Sequence, residues 1–299
     1  MKGLVNKNDF IETVQMKGLT ISLIASGDHT EIIHHKLEAH TRWALEPEEG
    51  WTALEYLFIL SGELTLTNKD GPTTLKAGDS FYRSPVNEHF VFQSTQPTEF
   101  LYISSQPVFH RYSNISRDLV KLAVSIEKKD GYTSDHCARI SKMSMQVGEK
   151  LGLNSRQLLR LNMASFFHDI GKIKIPLEIL LKPGKLTNKE WEIMKLHTTY
   201  GREVLQETKL PLLIDAGRIV EQHHERYDGK GYPFGLKKTE IDIEAFIISV
   251  VDSYDAMITD RPYSKAMPKE DALTEIVDCR GTMYSPDVVD AFISIQHIL

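Results

Sequence analysis

Apolar and polar positions along this chain change their period once, and the change divides it. From about Leu19 to Phe109 the apolar positions form short runs: Thr20-Ile21-Ser22-Leu23-Ile24, Tyr56-Leu57-Phe58-Ile59-Leu60, Glu63-Leu64-Thr65-Leu66-Thr67 and Glu99-Phe100-Leu101-Tyr102-Ile103. Gly, Asp, Asn and Pro separate them, as turns separate strands. This rhythm predicts a small all-β sandwich or barrel. Ser104-Ser105-Gln106-Pro107 closes the last strand, giving a first domain of 1–108 and a second of 109–299. Helical spacing begins near Ser113, and Ser116 to Ile126 places its apolar side chains on one face, predicting a helix that joins the parts without a flexible spacer. Further on, Leu158, Leu159, Leu161, Met163, Phe166 and Phe167 have the spacing of a buried helical face that runs into His168-Asp169-Ile170-Gly171-Lys172. The expected architecture is therefore multidomain, an all-β barrel followed by an all-α domain.

Composition narrows the function. At 299 residues and 41% hydrophobic content the chain can bury two cores. The net charge of -6 falls wholly on the first part, where residues 1–108 hold 8 Lys+Arg against 14 Asp+Glu, while 109–299 hold 27 of each. Neither part has the basic balance of a protein that binds a nucleic-acid polymer. Cys137 and Cys279 are too few for a disulfide framework and lack metal-ligand spacing, which predicts a reducing compartment. The N-terminal stretch has no signal-peptide core, and the run Phe246–Val251 is too short to span a bilayer, so a soluble cytoplasmic protein without membrane contact is expected.

Candidate chemistry accumulates in the helical part. Buried ionisable groups cost several kcal/mol unless paired or bound to metal, so His168-Asp169 at the end of a core helix calls for a partner, and a metal ion suits it. Gly171 is expected to allow a tight turn, and Lys172 to place a cation where it can hold a phosphate. His136 opens a helix for which Thr133 or Ser134 is the expected N-cap. His197 precedes Gly201, a small residue that admits a neighbouring backbone; His223 and His224 follow another apolar run, and Asp252 ends the run Ile247–Val251. Any one of these histidines alone reads as a satisfied core residue. Together the five histidines, Asp169 and Asp252 supply seven ligands, enough for two metal ions about 3.5–4 Å apart bridged by one carboxylate. Glu225 and Asp228 read as loop-capping or salt-bridging groups, Asp255 as a residue that orients Arg261 or a ligand histidine, and Lys128-Lys129-Asp130 as solvated surface.

The order of these blocks resembles the HD-GYP family of bacterial phosphodiesterases that hydrolyse cyclic di-GMP. The likeness rests on His168-Asp169-Ile170-Gly171-Lys172, on His223-His224-Glu225 with Asp228-Gly229-Lys230-Gly231-Tyr232-Pro233, on Ile175 to Thr187, on the step from His197 to Gly201, and on Asp252 to Met257 followed by Arg261-Pro262-Tyr263. It covers roughly residues 116 to 293. The resemblance implies that Asp169 bridges two divalent metals, with His136, His168 and Asp252 completing one site and His197, His223 and His224 the other. It implies that Asp169 and Lys172 serve catalysis, that Lys172 and Arg261 contact substrate phosphate, and that the Gly231-Tyr232-Pro233 loop borders the pocket and meets partners such as a diguanylate cyclase. Iron or manganese is the metal expected on family grounds, and imidazole-rich sites also accept zinc or nickel. The expected product is the linear dinucleotide pGpG, GMP, or both, and a homodimer is an open expectation. Two departures stand out: Tyr132 replaces an acidic residue that some members use for a third metal, and Ser264 follows Tyr263 where a basic residue is common. Two other readings stay open from sequence alone, a phosphohydrolase of the wider HD class acting on another cyclic dinucleotide or nucleotide, and a module that binds such a ligand without turnover.

In the first part, Leu57 to Glu63, Leu75 to Asp79 and Pro85 to His89 resemble the cupin pattern. Glu55 and His89 match two of the usual cupin metal ligands, but Glu49-Gly50-Trp51 stands where a histidine pair is usual, which predicts a metal-free sensor barrel. His34, His35 and His40 are reserve metal ligands that read more simply as polar residues on a half-exposed strand, and Trp51, Phe58, Phe81 and Tyr82 are candidates for the barrel mouth.

Overall fold

The computed structural model describes residues 10–48, 50–68, 71–129, 136–260 and 265–298. It divides into two compact units, Met1–Arg117 and Asp118–Leu299.

The first unit is built from ten strands: β1 (Glu12–Met16), β2 (Leu19–Gly27), β3 (Thr30–Leu37), β4 (Arg42–Leu45), β5 (Glu55–Ser61), β6 (Glu63–Asn68), β7 (Gly71–Lys76), β8 (Ser80–Arg83), β9 (Phe90–Ser94) and β10 (Thr98–Ser104). They form two antiparallel sheets, ordered β1-β2-β3-β10-β5-β8 and β4-β9-β6-β7. Late strands return between early ones, β10 between β3 and β5 and β9 between β4 and β6, which is the double-sheet jelly roll that cupins use. Burial alternates strictly along β3 and β10, so each presents one face to the core and one outward. Ile21, Leu23, Ile33, Leu57, Ile59, Leu64, Phe92 and Phe100 fill that core. The chain after β10 stays with this unit because the buried carboxylate of Glu31 accepts hydrogen bonds from the backbone N–H groups of Val108 (2.7 Å) and Phe109 (2.8 Å). Ser113 then caps the first helix, its hydroxyl accepting from Ser116 N at 3.0 Å.

Ten α-helices follow among the described residues: α1 (Asn114–Lys129), α2 (His136–Lys150), α3 (Ser155–Phe166), α4 (Leu177–Leu180), α5 (Asn188–Lys195), α6 (His197–Glu207), α7 (Pro211–Gln222), α8 (Ile243–Ile258), α9 (Lys269–Asp278) and α10 (Pro286–Ser294). The division between the units falls within α1. Helix α8 is the axis of the second unit. Every residue from Ala245 to Val251 is buried, as expected of a helix that is apolar on all sides. Helices α2, α3, α9 and α10 pack on it, and α6 and α7 pair beside α3. Capping boxes start α3 at Asn154 and α5 at Thr187.

Candidate metal centre

Most of the sequence-marked ligands stand at helix ends. His136 is the first residue of α2 and His197 the first of α6. His168 and Asp169 lie in the turn just after α3, and His223 and His224 just after α7. Asp252 alone comes from within a helix, α8. His168 and Asp169 thus follow their core helix rather than belonging to it, a placement with a chemical consequence. The last four carbonyls of an α-helix have no intrahelical partner. His168 Nδ1–H donates to Ser165 O (2.9 Å), His197 Nδ1–H to Met194 O at the end of α5 (2.8 Å), and His223 Nδ1–H to Val220 O (2.6 Å). A carbonyl can only accept, so each Nδ1 carries a proton and each Nε2 presents its lone pair in the neutral ring.

These lone pairs converge. The ligand atoms of His136, His168 and Asp169 lie within 4.8 Å of one another, as do those of His197, His223 and His224. Asp169 stands between the two groups. Its Oδ2 is 3.3 Å from His168 Nε2, and its Oδ1 is 3.5 Å from His197 Nε2. Asp252 Oδ1 adds to the first group, 3.7 Å from His136 Nε2 and 3.8 Å from His168 Nε2. The Nε2 atoms of His168, His197 and His223 and the Oδ1 of Asp252 are buried with no hydrogen-bond partner among the described residues. Buried polar atoms left without a partner cost about 1–3 kcal/mol each, and the two clusters have the donor chemistry to hold metal ions. Within the described residues no other group of this kind occurs.

Electrostatics among these residues follow from burial and Asp169. Burial pushes the His197, His223 and His224 imidazoles below their ordinary pKa, which keeps them neutral and ready to ligate. Burial also acts to lower His168, but the carboxylates of Asp169 and Asp252 outweigh it and lift that imidazole to about 9. Burial would raise Asp169, yet Lys172 and His168 hold it well below the carboxylate range. Lys172 Nζ lies 2.9 Å from Asp169 Oδ2.

A surrounding set of side chains orients the ligands. His136 Nδ1–H donates to Asp255 Oδ2 at 2.8 Å, and Arg139 grips the same carboxylate with Nε (2.7 Å to Oδ1) and Nη2 (2.8 Å to Oδ2). Asp255 thereby orients the candidate ligand His136, and against its burial these contacts hold it at about 2. The buried Glu225 accepts from Phe234 N (2.7 Å), Gly235 N (3.1 Å) and Leu236 N (3.0 Å), pinning the loop that carries Tyr232. Asp228 pairs with Arg226 and accepts from Lys230 N. Tyr232 lies over His224, with ring centroids 4.9 Å apart and planes 30° apart, and Lys195 and Trp191 also approach its ring, at 5.9 and 6.2 Å. Gly231 lets this loop approach, since a Cβ there would stand 2.6 Å from His224 O.

Gly171 has a different role from the one expected. Its φ is not in the left-handed region; a Cβ would meet His197 O at 1.9 Å and Gly201 N at 2.3 Å. It brings the turn bearing Asp169 against the start of α6, and Gly201 faces the same approach. Arg261 lies outside the described residues, as do Tyr132, Thr133, Ser134, Asp130, Pro262, Tyr263, Ser264 and Glu49. Sequence reasoning missed Arg139, Lys195 and Trp191. The three-residue step from His136 to Arg139, one helical turn, is the signal that could have found the first.

The pattern that defines the HD domain matches residues 121–288. This chain belongs to the HD domain family. A cyclic di-GMP phosphodiesterase of Thermotoga maritima is 40% identical over 194 residues, 64% of this chain and 53% of its own length. The cyclic di-GMP phosphodiesterase response regulator RpfG of Xanthomonas campestris pv. campestris is 42% identical over 175 residues, 58% of this chain and 46% of its own. A 3'3'-cGAMP-specific phosphodiesterase of Vibrio cholerae is 35% identical over 176 residues, 58% of this chain and 34% of its own. The chain thus spans about half or less of the length of these relatives. The HD domain pattern covers residues 121–288, and the jelly roll lies before them.

In the jelly roll, two expectations change. His35 is fully buried rather than half-exposed, stacked on Phe100 at 4.8 Å and edge-on to Trp43 and Tyr102, because its register on β3 faces the core. His40 sits exposed in a left-handed turn, not on a strand, and His34 pairs with Glu99 at 2.9 Å. Glu55 is buried and accepts from Tyr102 Oη (2.8 Å) and Trp51 Nε1 (2.5 Å), while His89 is exposed. Of the mouth candidates, Tyr82 is exposed, Phe58 is half-buried, and Phe81 packs on Phe90 and Phe92.

Proposed function

We propose that the HD domain of this chain hydrolyses cyclic dinucleotides, cyclic di-GMP first among them, to the linear dinucleotide pGpG, GMP or both, and that the jelly roll is its sensor. The observation that carries this reading is the position of Asp169, one carboxylate oxygen toward each of two ligand clusters. His136, His168 and Asp252 would hold one divalent ion with Asp169, and His197, His223 and His224 the other. Iron or manganese is the expected pair, with zinc or nickel as substitutes. Two divalent ions, once bound, supply an activated water and draw off charge from the phosphoryl oxygens.

The chain's own residues do the rest. The Nδ1 donations to helix-terminal carbonyls hold three imidazoles in the ligating tautomer, and Asp255 does the same for His136. Lys172, whose Nζ lies 2.9 Å from Asp169 Oδ2, would supply a cation beside that carboxylate to contact a phosphate oxygen. Tyr232 walls the side of the site at His224. Pro233 and Phe234 beside it are exposed, which supports a partner such as a diguanylate cyclase meeting this loop.

Both cyclic di-GMP and 3'3'-cGAMP stand in the names of the relatives, so the second is the competing substrate. The test is a panel. Metal-loaded protein is incubated with cyclic di-GMP, 3'3'-cGAMP and a nucleoside monophosphate, and products are followed by chromatography. Turnover of cyclic di-GMP in excess of the others supports the reading. Turnover of the monophosphate alone, or binding of either cyclic dinucleotide without product, overturns it.

A further inference from the structure

His136 is held differently from His168, His197 and His223, and the difference follows from helix polarity. His168, His197 and His223 each give their Nδ1 proton to a carbonyl in the last turn of a helix, α3, α5 and α7. His136 opens α2, and the backbone groups left over at a helix start are N–H donors, which cannot accept that proton. A side-chain acceptor is required, and Asp255 of α8 provides it at 2.8 Å. A single carboxylate buried to 1% exposure needs a counter-charge and a second contact to hold its plane. Arg139, one turn beyond His136 on α2, provides both through a two-pronged contact at 2.7 and 2.8 Å. The guanidinium is itself 35% exposed, along a cleft of about 330 Å³ between α2, α8 and α9 that is separate from the ligand clusters.

We infer that Arg139 is a positioning residue for one of the two metal ions, the one held by His136. It acts through Asp255 and leaves the ion held by His197, His223 and His224 unaffected. The inference rests on the two-ion reading above and adds an asymmetry to it. Three histidines are oriented by backbone that persists as long as the helices do, whereas His136 depends on a charged pair reaching from α2 to α8. The His136 side of the centre is therefore the one whose affinity a side-chain change can tune, without touching any ligand.

The test is stepwise metal titration of the apo 299-residue protein with Co(II), followed by its visible absorption, for wild type, Arg139→Gln and Arg139→Lys. Apo-protein thermal unfolding is measured alongside. Removing a hydrogen-bonded partner behind a metal ligand costs about 10–100-fold in affinity, so Arg139→Gln should weaken one binding step by that factor and leave the other within about twofold. Arg139→Lys keeps the charge without the fork and should recover part of the loss. Equal binding constants for wild type and both variants overturn the inference while leaving the two-ion reading intact. Parallel weakening of both steps, or a loss that tracks the fall in apo-protein melting temperature, also overturns it by making Arg139 a general structural residue. A wild type that binds a single ion refutes the two-ion reading itself and is thereby told apart.

Discussion

Gly171 is the residue on which the two halves of the candidate centre close. A methyl group there would collide with His197 O, so Gly171→Ala must push the Asp169 turn away from the start of α6. Overpacking of this sort costs about 1–3 kcal/mol, and Gly171→Ala should lower the melting temperature and weaken metal binding together. Unchanged metal affinity would show that the approach is not needed. His35 makes the residue-scale prediction for pH. Burial holds its imidazole down to about 3, against an ordinary value near 6.5. The unfolded chain therefore binds one more proton between those values, and stability is complete above about pH 6.5 and falls as pH drops toward 3. The slope from this group is up to about 1.4 kcal/mol per pH unit. In urea unfolding over that range, His35→Phe, which keeps a ring on Phe100, should flatten the dependence; a profile parallel to wild type would contradict it. Sequence alone could not give His35 its place, because alternation along β3 allows two registers and only pairing with β10 and β2 chooses the buried one.

At the scale of elements, the candidate ligands could be named by type and order from the sequence, but not their means of support. Periodicity marked the apolar helices and the histidines at their edges. It could not say that those edges are carbonyl ends for three histidines and an N–H end for His136, since that depends on where each helix stops within one or two residues. The loop after α7 shows the same division. Its glycines and Tyr232 were evident in the sequence, whereas Glu225 as the acceptor for three successive amides needed the fold. Glu225→Gln replaces one accepting oxygen with a donor facing Leu236 N. Losing that satisfied contact in a buried position should cost about 1–3 kcal/mol and speed hydrogen exchange at Phe234, Gly235 and Leu236. Exchange at the helix α8 amides serves as the reference. Unaltered exchange in the loop would mean that Glu225 does not pin it.

For the molecule as a whole, a change of hydrophobic period from strand to helix spacing announced two architectures, and both are present, a jelly roll and a helical HD domain. The strand runs Thr20–Ile24, Tyr56–Leu60, Glu63–Thr67 and Glu99–Ile103 fall in β2, β5, β6 and β10. The compact units divide after Arg117 because Glu31 ties the segment following β10 to its sheet, a long-range contact that no local pattern encodes. Asp169, with one carboxylate oxygen toward each cluster, is the proposed shared ligand of two ions. The most direct measurement is elemental analysis of wild type and Asp169→Asn, purified without chelator, with cyclic di-GMP turnover read on the same samples. About two ions per wild-type chain, with both ions and turnover lost in the variant, is the predicted result. An Asp169→Asn protein that keeps two ions, or that still opens the cyclic dinucleotide, would contradict it.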